Sequence, residues 1–258
     1  LLGGPNAHQV KKYAPALYPG RLLSGRGGAP IIHIWDRKGH SLRKDCFPGL
    51  GDNTYGIGLD NDDNLYLLAA GVRFMNGARY FNDMAGTLIK VQPGKARVLS
   101  EGKDYIPVPL QDPPKRDPDL ASRQAWVEGA EWFYSGVGWC GKNRVNGCAC
   151  QNCRMTFDYL NRTFAPELDR YSVAVLDSNG NLILRLGRYG NADDGKPLVP
   201  DASVPSPRSI GGNEVALMHG AYLATHTDRR LFIADPGNAR VLSVRLEYHT
   251  EARMPIKD

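Results

Sequence analysis

Long apolar runs are missing from these 258 residues. No window approaches the roughly 18 consecutive apolar residues that a membrane-crossing helix requires, so no membrane span is expected. A basic run is missing as well. Lys and Arg exceed Asp and Glu by 32 to 27, and the basic residues are dispersed (Lys11, Lys12, Arg37, Lys38, Arg43, Lys44, Arg229, Arg230). Nucleic-acid binding draws on a clustered basic footprint, so no nucleic-acid partner is expected. The chain also lacks a nucleophile elbow, a phosphate loop, a dinucleotide fingerprint and an HExxH pair. Covalent c-type haem needs C-x-x-C-H, and here Cys150-Gln151-Asn152-Cys153 is followed by Arg154.

Glycine and proline, by contrast, are plentiful at 29 and 18, as many short strands joined by turns would demand. Two kinds of segment recur. One is an apolar stretch ending in Asp and a glycine turn: Ile31 to His40 (IIHIWDRKGH), and Ser172 to Asn181 (SVAVLDSNGN) followed by LILRLGRYG. Asp or Asn followed by Gly between β-rich runs is a hairpin signal, because glycine supplies the positive φ of the turn. GTLIKVQPGKARVL (Gly86 to Leu99) is a shorter-turned version, and ARVLSVRLEY (Ala239 to Tyr248) has the strand without the turn. The other kind is a polar turn feeding an apolar strand: GIGLDNDDNLYLLA (Gly56 to Ala69), MTFDYLNRTFAPE (Met155 to Glu167) and YLATHTDRRLFIAD (Tyr222 to Asp235). Aligned, Asp60 falls on Asp158 and His226, and Tyr66 on Phe164 and Phe232. The two kinds alternate along the chain, which predicts an all-β fold of four-stranded antiparallel units repeated radially, a β-propeller. A β-sandwich is the competing architecture.

These segments resemble NHL-repeat propellers. Asp235-Pro236-Gly237-Asn238-Ala239-Arg240-Val241 is similar to the D-x-x-N-x-R-V strand of that family, with Leu168 to Val173 a looser version. The resemblance covers roughly residues 30–100 and 150–248. It implies a propeller, full blades at 55–99, 155–186 and 220–247 and a half-blade at 31–45. Propellers usually close with more blades, so residues 1–258 are expected to form one propeller domain or an incomplete, C-terminal part of a larger one. As to function, such propellers include protein-binding scaffolds, lyases and lactonase-like hydrolases. The leading expectation is a protein-binding or scaffolding module whose partners are other polypeptide chains of an assembly, or the rest of its own propeller. The alternatives are a metal-dependent lactonase- or lyase-type enzyme and a redox-associated subunit with a thiolate-bound metal centre.

Two stretches interrupt the repeat. Val72 to Met84 (VRFMNGARYFNDM) is rich in aromatics. Residues 100–153 form an insertion with a proline-rich part (PVPLQDPPKRDP) that cannot join a central strand, a predicted short helix over Ala121–Tyr134, and a cysteine-rich part. Cys140, Cys148, Cys150 and Cys153 follow a C-x7-C-x-C-x2-C spacing. Four thiolates could hold zinc or an iron–sulfur cluster. Two disulfides stapling the insertion are the leading expectation, with a bound metal second and free thiols third, and disulfides bring with them a periplasmic or secreted, extracytoplasmic location, where NHL-type propellers often work. Cys46 is left over, at the repeat position of Gly187.

Other candidates are less selective. His33 alternates with apolar neighbours and is expected in the core; His226 stands at an inner-strand turn, and His219 and His249 in a loop and the tail. Asp60 to Asn64 and Asn191 to Gly195 read as turns, because neither has the calcium-loop layout. Glu128, Asp158, Asn161 and Asp235 could supply the acidic and amide ligands of a lactonase-like centre, although their spacing does not single them out.

Overall fold

Aspartates lead the hairpin turns of this chain. The computed structural model describes residues 2–3, 32–49, 54–80, 86–100, 106–138, 142–143, 147–148, 153–191 and 215–246, less 37, 39, 70, 122 and 123. Asp36, Asp60, Asp158 and Asp177 each accept, on Oδ1, the backbone N–H groups two and four residues on, at 2.8–3.0 Å. Oδ2 of each meets the side chain four residues on: His40, Asn64, Arg162 and Asn181. The residue three on is left-handed at Asp63, Asn161 and Gly180 (φ 62°, 59° and 82°). Asp and Asn tolerate that conformation, and their side chains can mimic backbone in a turn. Each turn is thus closed by its own residues, and each sets a hairpin register.

The described residues are all-β, with two single 3-10 turns at Leu168–Arg170 and Pro236–Asn238 and no α-helix among them. The first sheet has the order Ala130–Val137, Gly86–Val91, Leu65–Ala69, Thr54–Leu59, every neighbour antiparallel. The second runs Thr156–Phe157, Thr163–Glu167, Ser172–Leu176, Leu182–Leu186, and the third Tyr222–His226, Arg230–Asp235, Arg240–Arg245. Before them, Ile32–Trp35 lies between Leu2–Gly3 and Ser41–Arg43. A side sheet joins Arg97–Ser100 to Ala125–Glu128, antiparallel, and to Ile106–Pro107, parallel. The aligned positions Tyr66, Phe164 and Phe232 all lie on second strands, Tyr66 and Phe164 as the second residue and Phe232 as the third.

The sheets stack face to face in chain order, and strand alternation divides their side chains among three cores. Leu65, Leu67, Ala69, Ile89 and Val91 pack with Ile32, Cys46, Phe47 and Val98. Tyr66, Leu68 and Leu88, on the opposite face of the same strands, pack with Met155, Ala165, Ala174 and Leu176 of the second sheet. Phe164, Val173 and Val175 then meet Leu223, Leu231 and Ile233 of the third. With both faces covered, the middle strands are buried throughout, which accounts for their near-continuous apolar sequence.

Two expectations are corrected. Arg97–Ser100 does not complete the first sheet; Ala130–Val137, from within the 100–153 stretch, pairs with Gly86–Val91 in its place. The helix expected over Ala121–Tyr134 is two strands, Ala125–Glu128 and Ala130–Val137, turned at Gly129 (φ +75°). Strand pairing on existing edges outweighs the weak helix preference of Ala and Glu there.

Candidate functional site

The last residue of a second strand carries a buried carboxylate in both the second and the third sheet. Glu167 is 1% exposed and Asp235 is fully buried. Asp235 accepts the N–H of His219 at 2.6 Å and that of Met218 at 3.3 Å, and Asn238 Nδ2 at 2.7 Å. Glu167 accepts Tyr134 OH on Oε1 at 3.0 Å, and on Oε2 Ser172 Oγ at 2.8 Å and Arg185 Nε at 2.7 Å. Tyr134 belongs to the first sheet, so Glu167 clamps two sheets together. In the D-x-x-N-like stretch of the second sheet, the acid is therefore Glu167 and not Asp169.

Above this clamp a groove of about 570 Å³ opens between the first and second sheets. Arg73 and Tyr80 come from the aromatic-rich stretch, Phe133 and Tyr134 from Ala130–Val137, Arg170 from the 3-10 turn and Arg185 from Leu182–Leu186. Arg73 is held by its Nη1, which donates to Asp119 O at 2.8 Å and Asp119 Oδ1 at 3.0 Å, and its guanidinium lies 4.1 Å from the Phe133 ring centroid. Arg185 Nη2 donates to Tyr134 OH at 3.2 Å. Burial, followed by the neighbouring Glu167 charge, pushes the Tyr134 phenol up to about 12. The hydrogen bond to Glu167 likewise raises Arg185, leaving it a permanent cation. Sequence reading singled out the aromatic-rich stretch but not Arg170 or Arg185, since only the stacking of sheets brings these positions together.

The acidic and amide candidates do not converge. Glu128 accepts Arg97 Nε at 2.5 Å, Asp158 closes its own turn with Arg162, and Asp235 holds its loop. Asn161 accepts Asn61 N–H at 2.9 Å and donates to Asp62 at 3.0 Å, tying the turn of the second sheet to that of the first. Among the described residues no three His, Cys, Asp or Glu side chains are placed to hold a metal ion.

Of the cysteine cluster, Cys140 and Cys150 lie outside the described residues, and of Cys148 only the backbone is described, in a short pairing of Lys142–Asn143 with Gly147–Cys148. Cys153 is buried in the core between the first two sheets. Cys46 lies three residues past the end of Ser41–Arg43, where Gly187 directly follows Leu182–Leu186; it is a free, fully buried thiol that burial pushes up to about 11. His33 is buried and accepts Asp45 N–H on Nδ1 at 3.2 Å, the arrangement of a neutral imidazole, and burial holds it below its ordinary value. His226 is exposed and pairs with Asp228 at 2.8 Å. His249 lies outside the described residues.

No family model and no curated protein matches this chain. Among solved structures it is similar to a streptogramin B lyase, at 10% identity and a TM-score of 0.28, over 86% of this chain and 64% of that one. It thus spans less than two thirds of the length of that lyase chain. It is also similar to a protein of unknown function from Bacteroides caccae, at 11% identity and a TM-score of 0.27, over 84% of this chain and 74% of that one. At such identities no residue of either carries over to this chain.

Proposed function

We propose that the stacked sheets are blades of an NHL-like β-propeller and that the chain is a protein-binding or scaffolding module of an extracytoplasmic assembly. Successive antiparallel sheets stacked in chain order, with equivalent aspartate turns at equivalent places, support the propeller reading. One observation carries the binding reading: the outer strand of the second sheet, Leu182–Leu186, is apolar and exposed. Leu182, Ile183 and Leu184 are 37%, 51% and 37% exposed, and the strand has one sheet neighbour among the described residues. The outer strand of the third sheet, Arg240–Arg245, begins and ends in arginine, the charged kind of edge that resists pairing. Leu182–Leu186 has Arg185 alone, and Arg185 is turned to Glu167.

An apolar edge of this kind suits strand addition by a second polypeptide, whose main chain would meet the outward N–H and C=O groups while its side chains cover Leu182 and Leu184. The lyase and lactonase readings have less support, because Glu128, Asp158 and Asp235 are each engaged in a local contact. A photo-cross-linking residue at position 183, introduced into the full chain in its native host, tests the proposal. The expected adduct contains a second polypeptide and is diminished by Leu184→Lys. Adducts confined to the chain itself, or none, would overturn it.

A further inference from the structure

The groove between the first and second sheets has features that neither the fold nor the edge strand requires. Its three arginines come from three separate elements, no carboxylate among the described residues lines it, and the guanidiniums of Arg73 and Arg185 are held by anchors behind it. Arg185 is fixed through Nε on Glu167 and Nη2 on Tyr134, and among the described residues its Nη1 has no hydrogen-bond acceptor. Arg73 is fixed through Nη1 and by its stacking on Phe133, and among the described residues its Nε and Nη2 have no hydrogen-bond acceptor. Asp119 answers two guanidiniums at once, Arg73 at 3.0 Å and Arg116 at 2.5 Å, so one carboxylate is shared between two positive charges. Held guanidiniums with donors to spare suit an oxyanion, to which arginine offers paired, charge-assisted hydrogen bonds.

The rest of the lining, Ser135 apart, is aromatic or apolar: Tyr80, Phe133 and Tyr134, with Met75 and Leu182 beside them. Tyr80 is 63% exposed, although its backbone is fastened by its N–H donating to Arg73 O at 2.8 Å. The volume falls within the range of small-molecule sites, which are mostly apolar with a few placed polar groups. We infer that this groove binds a small organic oxyanion, a carboxylate or a phosphate, carried on an aromatic or apolar body. The charged end meets Arg73, Arg170 and Arg185, and the body lies against the rings.

Isothermal titration calorimetry of the full chain against phenyl phosphate, phenylacetate and the neutral benzyl alcohol tests this without any protein partner. The expected result is saturable one-to-one binding of at least one anion, at least tenfold tighter than the alcohol and weakened by added salt. Preference for phenyl phosphate assigns the oxyanion as phosphate, and preference for phenylacetate assigns it as carboxylate. Arg170→Gln is expected to weaken binding at least fivefold, and Ser135→Trp, which fills the groove, to abolish it. Silence of both anions at millimolar concentration, equal binding of the alcohol, or full binding by a folded Ser135→Trp protein overturns the inference. Should Ser135→Trp not fold, Arg170→Gln decides alone, and an unchanged Kd overturns it.

Discussion

Replacing Glu167 with glutamine keeps the shape of the side chain but turns one acceptor oxygen into a donor. In the native arrangement three donors converge on the carboxylate: Tyr134 OH, Ser172 Oγ and Arg185 Nε. An amide oxygen can serve one side of this set, and the amide NH2 then faces a donor on the other. Hydrogen bonds to charged groups contribute about 1.5–3 kcal/mol each, and removing one partner of a buried pair costs about 3–5 kcal/mol. Arg185 is 37% exposed on its side chain and can rehydrate, which places the net cost of Glu167→Gln near the lower end, about 3 kcal/mol, or roughly a hundredfold in the folded-to-unfolded ratio. Urea unfolding should show a lower midpoint with an unchanged slope. A double-mutant cycle with Tyr134→Phe should return a coupling of about 1–2 kcal/mol, since the pair is in direct contact. A loss under about 0.5 kcal/mol, or additive single mutants, would show that the clamp between the sheets does not hold them.

Other outcomes follow from the same structure. Gly86→Ala should destabilise by about 3 kcal/mol in thermal melts, since the added methyl would overlap Ala69 O and lie 3.0 Å from Val137 O, backbone atoms on both sides. Cys46 should stay unreactive toward a thiol reagent at pH 8 and react once the chain is unfolded, because burial raises it to about 11. Thiol titration with and without reductant, together with metal analysis, separates the two readings of Cys140, Cys148, Cys150 and Cys153. Disulfides give new thiols on reduction, and a metal site gives stoichiometric zinc or iron. His33 and His219 are both held below their ordinary 6.5 by burial. The unfolded chain therefore takes up protons first as pH falls below 6.5, and stability should drop progressively from there. A urea midpoint that is flat between pH 7 and 5 would contradict this.

The hairpins were legible because their information is local. Asp60, Asp158 and Asp177 each close a turn within five residues, and the apolar runs beside them are long enough to mark strands. The fourth strand of the first sheet was not legible. Ala130–Val137 carries Trp132, Phe133 and Tyr134 with no clean alternation, and its partner Gly86–Val91 lies far back along the chain, so helix-favouring Ala and Glu dominated the local signal. The second buried carboxylate was displaced for a similar reason: Asp169 fits the repeat by eye, but Glu167 holds the strand-end position. The groove was illegible altogether. Arg73, Arg170 and Arg185 share no spacing, and they meet only because two sheets stack.

The side sheet bears on the order in which the first sheet is assembled. Within each of the three stacked sheets, every described strand after the first, apart from Gly86–Val91, follows its predecessor through a short turn, whereas Ala130–Val137 must return to Gly86–Val91 across a roughly tenfold longer stretch. Closing such a loop from a free chain costs about 2 kcal/mol more than closing a turn. Pairing Arg97 with Glu128 and Ser100 with Ala125 shortens the journey, and the corner at Gly129 then delivers Ala130 opposite Val91. The side sheet acts as a jig for assembly. During synthesis the strand Gly86–Val91 is left with an open flank until residue 137 has emerged from the ribosome, and that interval is when a chaperone, or a wrong strand, would find it.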